Sequence, residues 1–176
     1  GSLQNRSRFA VEVIKATRAA VGPDFPIILR WSQWKQQDYT ARLAESPEQL
    51  EAFLKPLSDA GVDIFHCSQR RFWEPEFSGS DLNLAGWVRK LTGKPAITVG
   101  SVGLNADFIP EPGQRTFREA EPASLEELLR RMEANQFDLV AVGRALIANP
   151  GWVDMVEAER LDELKAFRKE HLGELI

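Results

Sequence analysis

The chain has 176 residues, 43% of them hydrophobic and 27% charged, with a formal net charge of -4 from 22 basic and 26 acidic side chains. This composition fits a soluble globular fold, and the mild acidity gives no general electrostatic pull toward nucleic acid or an anionic membrane. No apolar run approaches the roughly 20 residues of a membrane helix. The start, Gly-Ser-Leu-Gln-Asn-Arg, has no apolar core of the kind a signal peptide carries. Cys67 is the single cysteine, so no intrachain disulfide forms, and the two observations together point to a reducing cytoplasm. Gly1-Ser2 in place of Met reads as a cloning scar or as a start inside a longer protein.

Asn5–Val21 places Phe9, Val11, Val13, Ile14, Ala16 and Ala20 among Arg and Lys, which predicts an amphipathic helix stopped by Gly22-Pro23. A first strand is expected near 26–31, ending in Arg30-Trp31, and Gln33–Glu45 reads as a loop. Ser46-Pro47-Glu48-Gln49 is a helix start, with Ser as N-cap and Pro at the first position. Its helix should bury Leu50, Phe53, Leu54 and Leu57 and be kinked or shortened by Pro56, with Gly61 as its cap. The second strand falls at 62–67, followed by a long loop Ser68–Asn83 and a short helix Leu84–Leu91. The third strand is 96–99, and Asn105–Ala123, with three prolines, reads as an irregular excursion. Ser124-Leu-Glu-Glu127 has the capping-box spacing, and its helix should bury Leu125, Leu128, Leu129 and Met132. The fourth strand is 137–142; a helix from Trp152 to Glu159 and a charged amphipathic helix Leu161–Leu172 close the chain.

Strands that are continuous apolar runs, each followed by a helix, mark a parallel sheet covered by helices. Four such units are half of a (β/α)₈ TIM barrel, which takes about 200 residues or more. The competing fold is an open doubly wound sheet. The half-barrel is favoured because every strand ends in polar residues or glycine: Arg30-Trp31-Ser32, His66-Cys67-Ser68, Gly100-Ser101 and Gly143-Arg144. No Gly-x-Gly-x-x-Gly follows the first strand, where a dinucleotide fold would want it. Two of these ends, Gly100-Ser101-Val102-Gly103 and Gly143-Arg144, offer bare backbone N–H groups and a guanidinium, which together suit a phosphate dianion.

In that order the residues resemble the Old Yellow Enzyme family of NADH:flavin oxidoreductases. Gly1-Ser2 with Asn5-Arg6 is similar to the family's Gly-Gly-Ser-x-x-Asn-Arg segment before the fourth barrel helix. Ile27–Arg30 resembles its fifth strand and Val62–Ser68 its sixth. Val99–Gly103 resembles the seventh strand's loop, and Val142-Gly143-Arg144 with Asn149-Pro150 and Trp152 the eighth. The resemblance implies that the whole chain is the C-terminal half of one FMN-binding barrel domain. It implies FMN as cofactor, NADH or NADPH as donor, and hydride transfer to activated C=C bonds of α,β-unsaturated carbonyl or nitro compounds. Arg30 would then contact the flavin's N1/O2 edge. Ser101, Val102, Gly103 and Gly143 would give N–H groups to the phosphate, and Arg144 would pair with it. The family's substrate-binding His pair and tyrosine acid lie on earlier strands, so the resemblance places no catalytic residue on this chain. It implies a partner carrying the N-terminal half of the barrel. Without that half the chain is expected to be inactive, to pair with a complementary half, or to self-associate as a homo-oligomer.

Beside these stand plainer readings. Arg30 at the end of an apolar strand also suits a structural ion pair, and the glycines also suit ordinary turns. His66 reads as a satisfied core or rim histidine and Cys67 as a small buried hydrophobe; no metal site is indicated. Trp31 and Trp73 are candidates for the substrate side of a flavin or for packing under long loops. Arg70-Arg71 is too short for nucleic acid and would suit the phosphates of a nicotinamide cofactor. Another phosphate-binding barrel acting on a small phosphorylated substrate would share the glycine-rich ends, though not the need for Arg30.

Overall fold

The computed structural model describes residues 2–35, 37–108 and 118–173. Gly1, the middle of the Asn105–Ala123 excursion and the last three residues of the tail lie outside the described residues. The chain forms α1 (Leu3–Val21), β1 (Ile28–Ser32), α2 (Pro47–Asp59), β2 (Ile64–Ser68), α3 (Leu84–Thr92), β3 (Ala96–Val99), α4 (Glu126–Glu133), β4 (Leu139–Ala141), α5 (Arg144–Ala148) and α6 (Trp152–Glu157). The four strands form one parallel sheet in the order β1-β2-β3-β4. These are consecutive βα units of a (β/α)₈ barrel, about half of one.

The register decides which side chains share a face. Arg30 is opposite His66, His66 opposite Ile97, and Ile97 opposite Leu139. None of these four is buried, and Ile28 and Leu139 remain 52% and 48% exposed. The alternate row has Phe65, Cys67, Ala96 and Thr98 fully buried beneath the helices. The sheet is therefore helix-covered on one face and open on the other, and the open face corresponds to the inside of a barrel.

Local chemistry fixes the helix starts. Ser46 accepts the Gln49 N–H at 3.3 Å while Gln49 Oε1 accepts the Glu45 N–H at 3.0 Å, which satisfies two orphan donors at the head of α2. The expected core side of α2 is met: Leu50, Phe53, Leu54 and Leu57 are buried. Pro56 does not shorten it, because Pro56 lies in the last turn and the helix runs through it to Asp59. Asn83 caps α3 from a buried position and also donates to Phe72 O (2.8 Å) and Thr98 Oγ1 (3.2 Å), so it ties the β2–α3 loop to β3.

Three expectations are corrected. α4 begins at Glu126 without the capping box: Ser124 Oγ accepts from Glu126 N instead, and Leu129 and Met132 are exposed. The buried row is Leu125, Leu128 and Arg131. The tail is not an amphipathic helix but two single 3₁₀ turns, Leu161–Glu163 and Lys169–Leu172. Between them the backbone is extended, because Phe167 exchanges two hydrogen bonds with Ala120 and Asn149 bonds both N–H and C=O of Lys165. α1 shows Phe9 81% and Val13 47% exposed, with Ile14 its buried apolar residue.

Candidate functional site

The C-terminal ends of β1, β3 and β4 meet at one rim. There a cleft of about 200 Å³ is lined by Arg30, Ser101, Val102, Gly143 and Arg144, together with Trp34, Gln69, Arg70 and Phe108. Five of the six residues expected to hold the cofactor thus share one cleft. Gly103 is turned away: a Cβ there would lie 3.3 Å from the Trp152 ring. Gly103 instead borders a neighbouring apolar hollow of about 510 Å³ with Phe72 and Trp73.

The loop after β3 depends on its glycine. Gly100 has φ +131°, and a Cβ would meet Gln69 O at 2.7 Å, so the β2 and β3 loops touch backbone to backbone. Gly100 O accepts the Phe72 N–H at 3.0 Å. Ser101 sits at φ +54°, uncommon for a residue with a side chain. No acceptor among the described residues takes the backbone N–H of Ser101, Val102, Gly143 or Arg144.

Arg144 holds the loop in shape. Its Nη2 donates to Ala106 O at 2.5 Å and Ser101 Oγ at 3.3 Å, Nη1 reaches Arg118 O at 3.4 Å, and the guanidinium lies over Phe167 at 5.5 Å. Burial lowers its pKa, opposed by the Asp107 charge. Arg30, on the open face of β1, donates to Ser68 Oγ at 3.3 Å and pairs with no carboxylate among the described residues. Three guanidiniums line the cleft and no carboxylate does.

The other candidates separate. Trp31 faces the helices, its ring 5.2 Å from Phe53 of α2, so it is a packing residue away from the cleft. This follows from strand alternation, since Arg30 takes the open face and its neighbour must take the other. Trp73 is at the apolar hollow, edge-on to Phe72. His66 is not satisfied as expected: it lies beside Arg30 on the open face with Nε2 buried and without a partner among the described residues. Burial, then the Arg30 charge, pushes its pKa down. Cys67 is buried and its thiol pKa is pushed up by burial. Arg70 and Arg71 both reach Asp107, which is 1% exposed. Sequence reasoning missed Gln69, Phe108 and Asp107, which carry no motif. A second cleft of about 380 Å³ adjoins the first and shares Trp34, Ser68, Gln69 and Arg70.

The sequence pattern of the NADH:flavin oxidoreductase / NADH oxidase family matches residues 1–110. The chain belongs to that family. An NADH oxidase of Thermoanaerobacter brockii is 30% identical over 173 residues, which covers 94% of this chain and 23% of that protein. A bilirubin reductase of Clostridium symbiosum is 28% identical, covering 93% of this chain and 42% of that protein. The chain therefore spans less than half the length of these relatives. Among solved structures, the old yellow enzyme homologue from Zymomonas mobilis superposes with a TM-score of 0.65 at 17% identity, over 97% of this chain and 41% of that one. The fold of the family members and the sheet described above agree.

A phosphate fits the cleft on its own chemistry. The glycine conformation, the unused N–H groups and the guanidinium lining all select an anion.

Proposed function

We propose that this chain is the C-terminal, cofactor-phosphate half of an FMN-dependent oxidoreductase of the ene-reductase kind. FMN bound here would supply hydride transfer from NADH or NADPH to the activated C=C bond of an α,β-unsaturated carbonyl or nitro compound. The observation that supports this most is the convergence of Arg30, Ser101 and Gly143-Arg144 on one cleft free of carboxylates. Relatives named as an NADPH dehydrogenase and a cinnamate reductase support the reaction class.

Each residue has a defined task in this reading. The Ser101, Val102 and Gly143 N–H groups hold the phosphate, with Gly103 setting the turn that presents them. Arg144 fixes the loop through Ala106 O and adds positive charge; its longest bond, to Arg118 O, is the one a phosphate would displace. Arg30, on β1, sits two strands from β3 and three from β4, where a cation stabilises negative charge on the reduced ring. Groups that bind and protonate the substrate belong to the N-terminal half of the barrel, supplied by another segment or chain. The isolated chain is inactive.

Titration of the chain with FMN, riboflavin and a simple phosphate ester tests this. The amide resonances of Ser101, Val102 and Gly143 are expected to shift with FMN and with the ester, and only weakly with riboflavin. Unchanged amides in the presence of FMN would remove the basis of the reading.

A further inference from the structure

The cleft holds a third guanidinium besides Arg30 and Arg144. Arg70 lines both the phosphate cleft and the larger one beside it. Its Nε and Nη2 both donate to Asp107 Oδ2, at 3.2 and 2.8 Å. Arg71 Nη2 reaches the same oxygen at 2.9 Å. Asp107 is 1% exposed, so this oxygen is a fixed anchor and not a solvated counter-ion. On its other side the Arg70 guanidinium lies over the Tyr39 ring, 5.6 Å from the centroid, and Tyr39 in turn packs on Trp34 at 5.1 Å. Arg70 Nη1 makes no bond among the described residues.

Arg70 has no carboxylate partner other than Asp107 among the described residues, while Arg71 is also paired with Glu74 at 2.6 Å. The four groups balance in charge, but neither carboxylate lines the smaller cleft, so its wall presents the Arg70 guanidinium beside Arg30 and Arg144 with no acidic lining. The side chain is also held from two sides before any ligand arrives, so binding would cost it little rotamer entropy.

We propose that Arg70 is a binding residue of the anion cleft, and that buried Asp107 is the positioning residue that holds its guanidinium there. The proposal rests on the reading of this cleft as a phosphate site. With it, a phosphate dianion meets two guanidiniums, Arg144 on the β4 side and Arg70 on the β2 side, while Arg30 remains for the ring. The rival is that Arg70 is only a strut joining the β2 and β3 loops. A strut is indifferent to whether the ligand carries a phosphate.

The experiment is a titration of the unaltered chain with inorganic phosphate, followed at the Arg70 Nε–H resonance and at the Ser101 and Gly143 amides. Movement of all three supports the proposal. Movement of the amides with a stationary Arg70 resonance overturns it and leaves the phosphate site standing. No movement at any of them overturns both. A calorimetric titration with FMN and riboflavin gives a second readout. Arg70→Gln is expected to weaken FMN by about tenfold or more, the size of one charge-assisted hydrogen bond, with riboflavin unchanged. It should also flatten the salt dependence of FMN binding, with Arg70→Lys in between. Equal FMN affinity in Arg70→Gln and the parent, or a parallel loss for both ligands, refutes the assignment.

Discussion

Gly100 shows what a single residue contributes to the rim. Its φ of +131° and the 2.7 Å approach of a would-be Cβ to Gln69 O are independent penalties for any side chain. Gly100→Ala is expected to destabilise the chain by about 2–4 kcal/mol, combining backbone strain with overpacking. Urea unfolding measures it; a loss under ~0.5 kcal/mol, the scale of a neutral surface change, would contradict the contact. The glycine-rich stretch was legible in the sequence as a loop after a strand. The reason for Gly100 was not, because the group it avoids, Gln69 O, belongs to the β2 loop far back in the chain. Arg30 and Trp31 make the same point. Their alternation was readable, but which of the two faces the cleft depends on which side the helices cover.

At the scale of an element, α4 departs furthest from its pattern. Leu125, Leu128, Leu129 and Met132 satisfy a helical stripe, yet the buried row is Leu125, Leu128 and Arg131, three residues apart. Arg131 is tolerated inside because its guanidinium makes four hydrogen bonds: Nε to Glu127 (2.6 Å), Nη1 to Asp81 O (2.7 Å) and Gln136 Oε1 (2.9 Å), Nη2 to Trp73 O (3.0 Å). The acceptors come from two other segments, so hydrophobic periodicity could not reveal them. Glu127 completes the cluster, and its carboxyl pKa is lowered to about 2, first by the Arg130 hydrogen bonds and then by Arg131. A carboxylate more acidic folded than unfolded stabilises the protein above the ordinary Glu range and loses that contribution as pH falls through the folded value. Stability should therefore drop between about pH 4.5 and pH 2. Glu127→Gln should flatten that part of the pH profile, by an amount moderated because the side chain is 39% exposed. Thermal unfolding across this window, with identical slopes for both proteins, would show that the ion pairs contribute nothing.

Across the whole molecule, the βα rhythm was legible because each strand is a continuous apolar run, and such runs signal burial on both faces. The structure buries only one. The inner face keeps Ile28, Ile97 and Leu139 uncovered. Phe9 and Val13 of α1, Phe25 before β1, Leu129 of α4, Ile147 of α5 and Val153 of α6 are exposed as well. A largely apolar sheet face between two parallel edges that pair with no further strand among the described residues is a surface that needs a partner. The sequence records that requirement, since nothing in a lone half-sheet would select apolar side chains at Ile28 and Leu139. Covering this face and both edges requires strands that pair with β1 and β4 at once, and four further βα units closing the barrel would do so. A segment carrying the first four units of a family member should then form a 1:1 complex with this chain, detected by light scattering. Alone, the chain should self-associate with rising concentration through the same edges. Ile28→Lys and Leu139→Lys, both on the open face and clear of the helix-side core, should weaken pairing and self-association together while leaving the circular dichroism of the helices unchanged. A chain that stays monomeric at high concentration and ignores the complementary segment would mean that these edges are capped by means other than barrel closure.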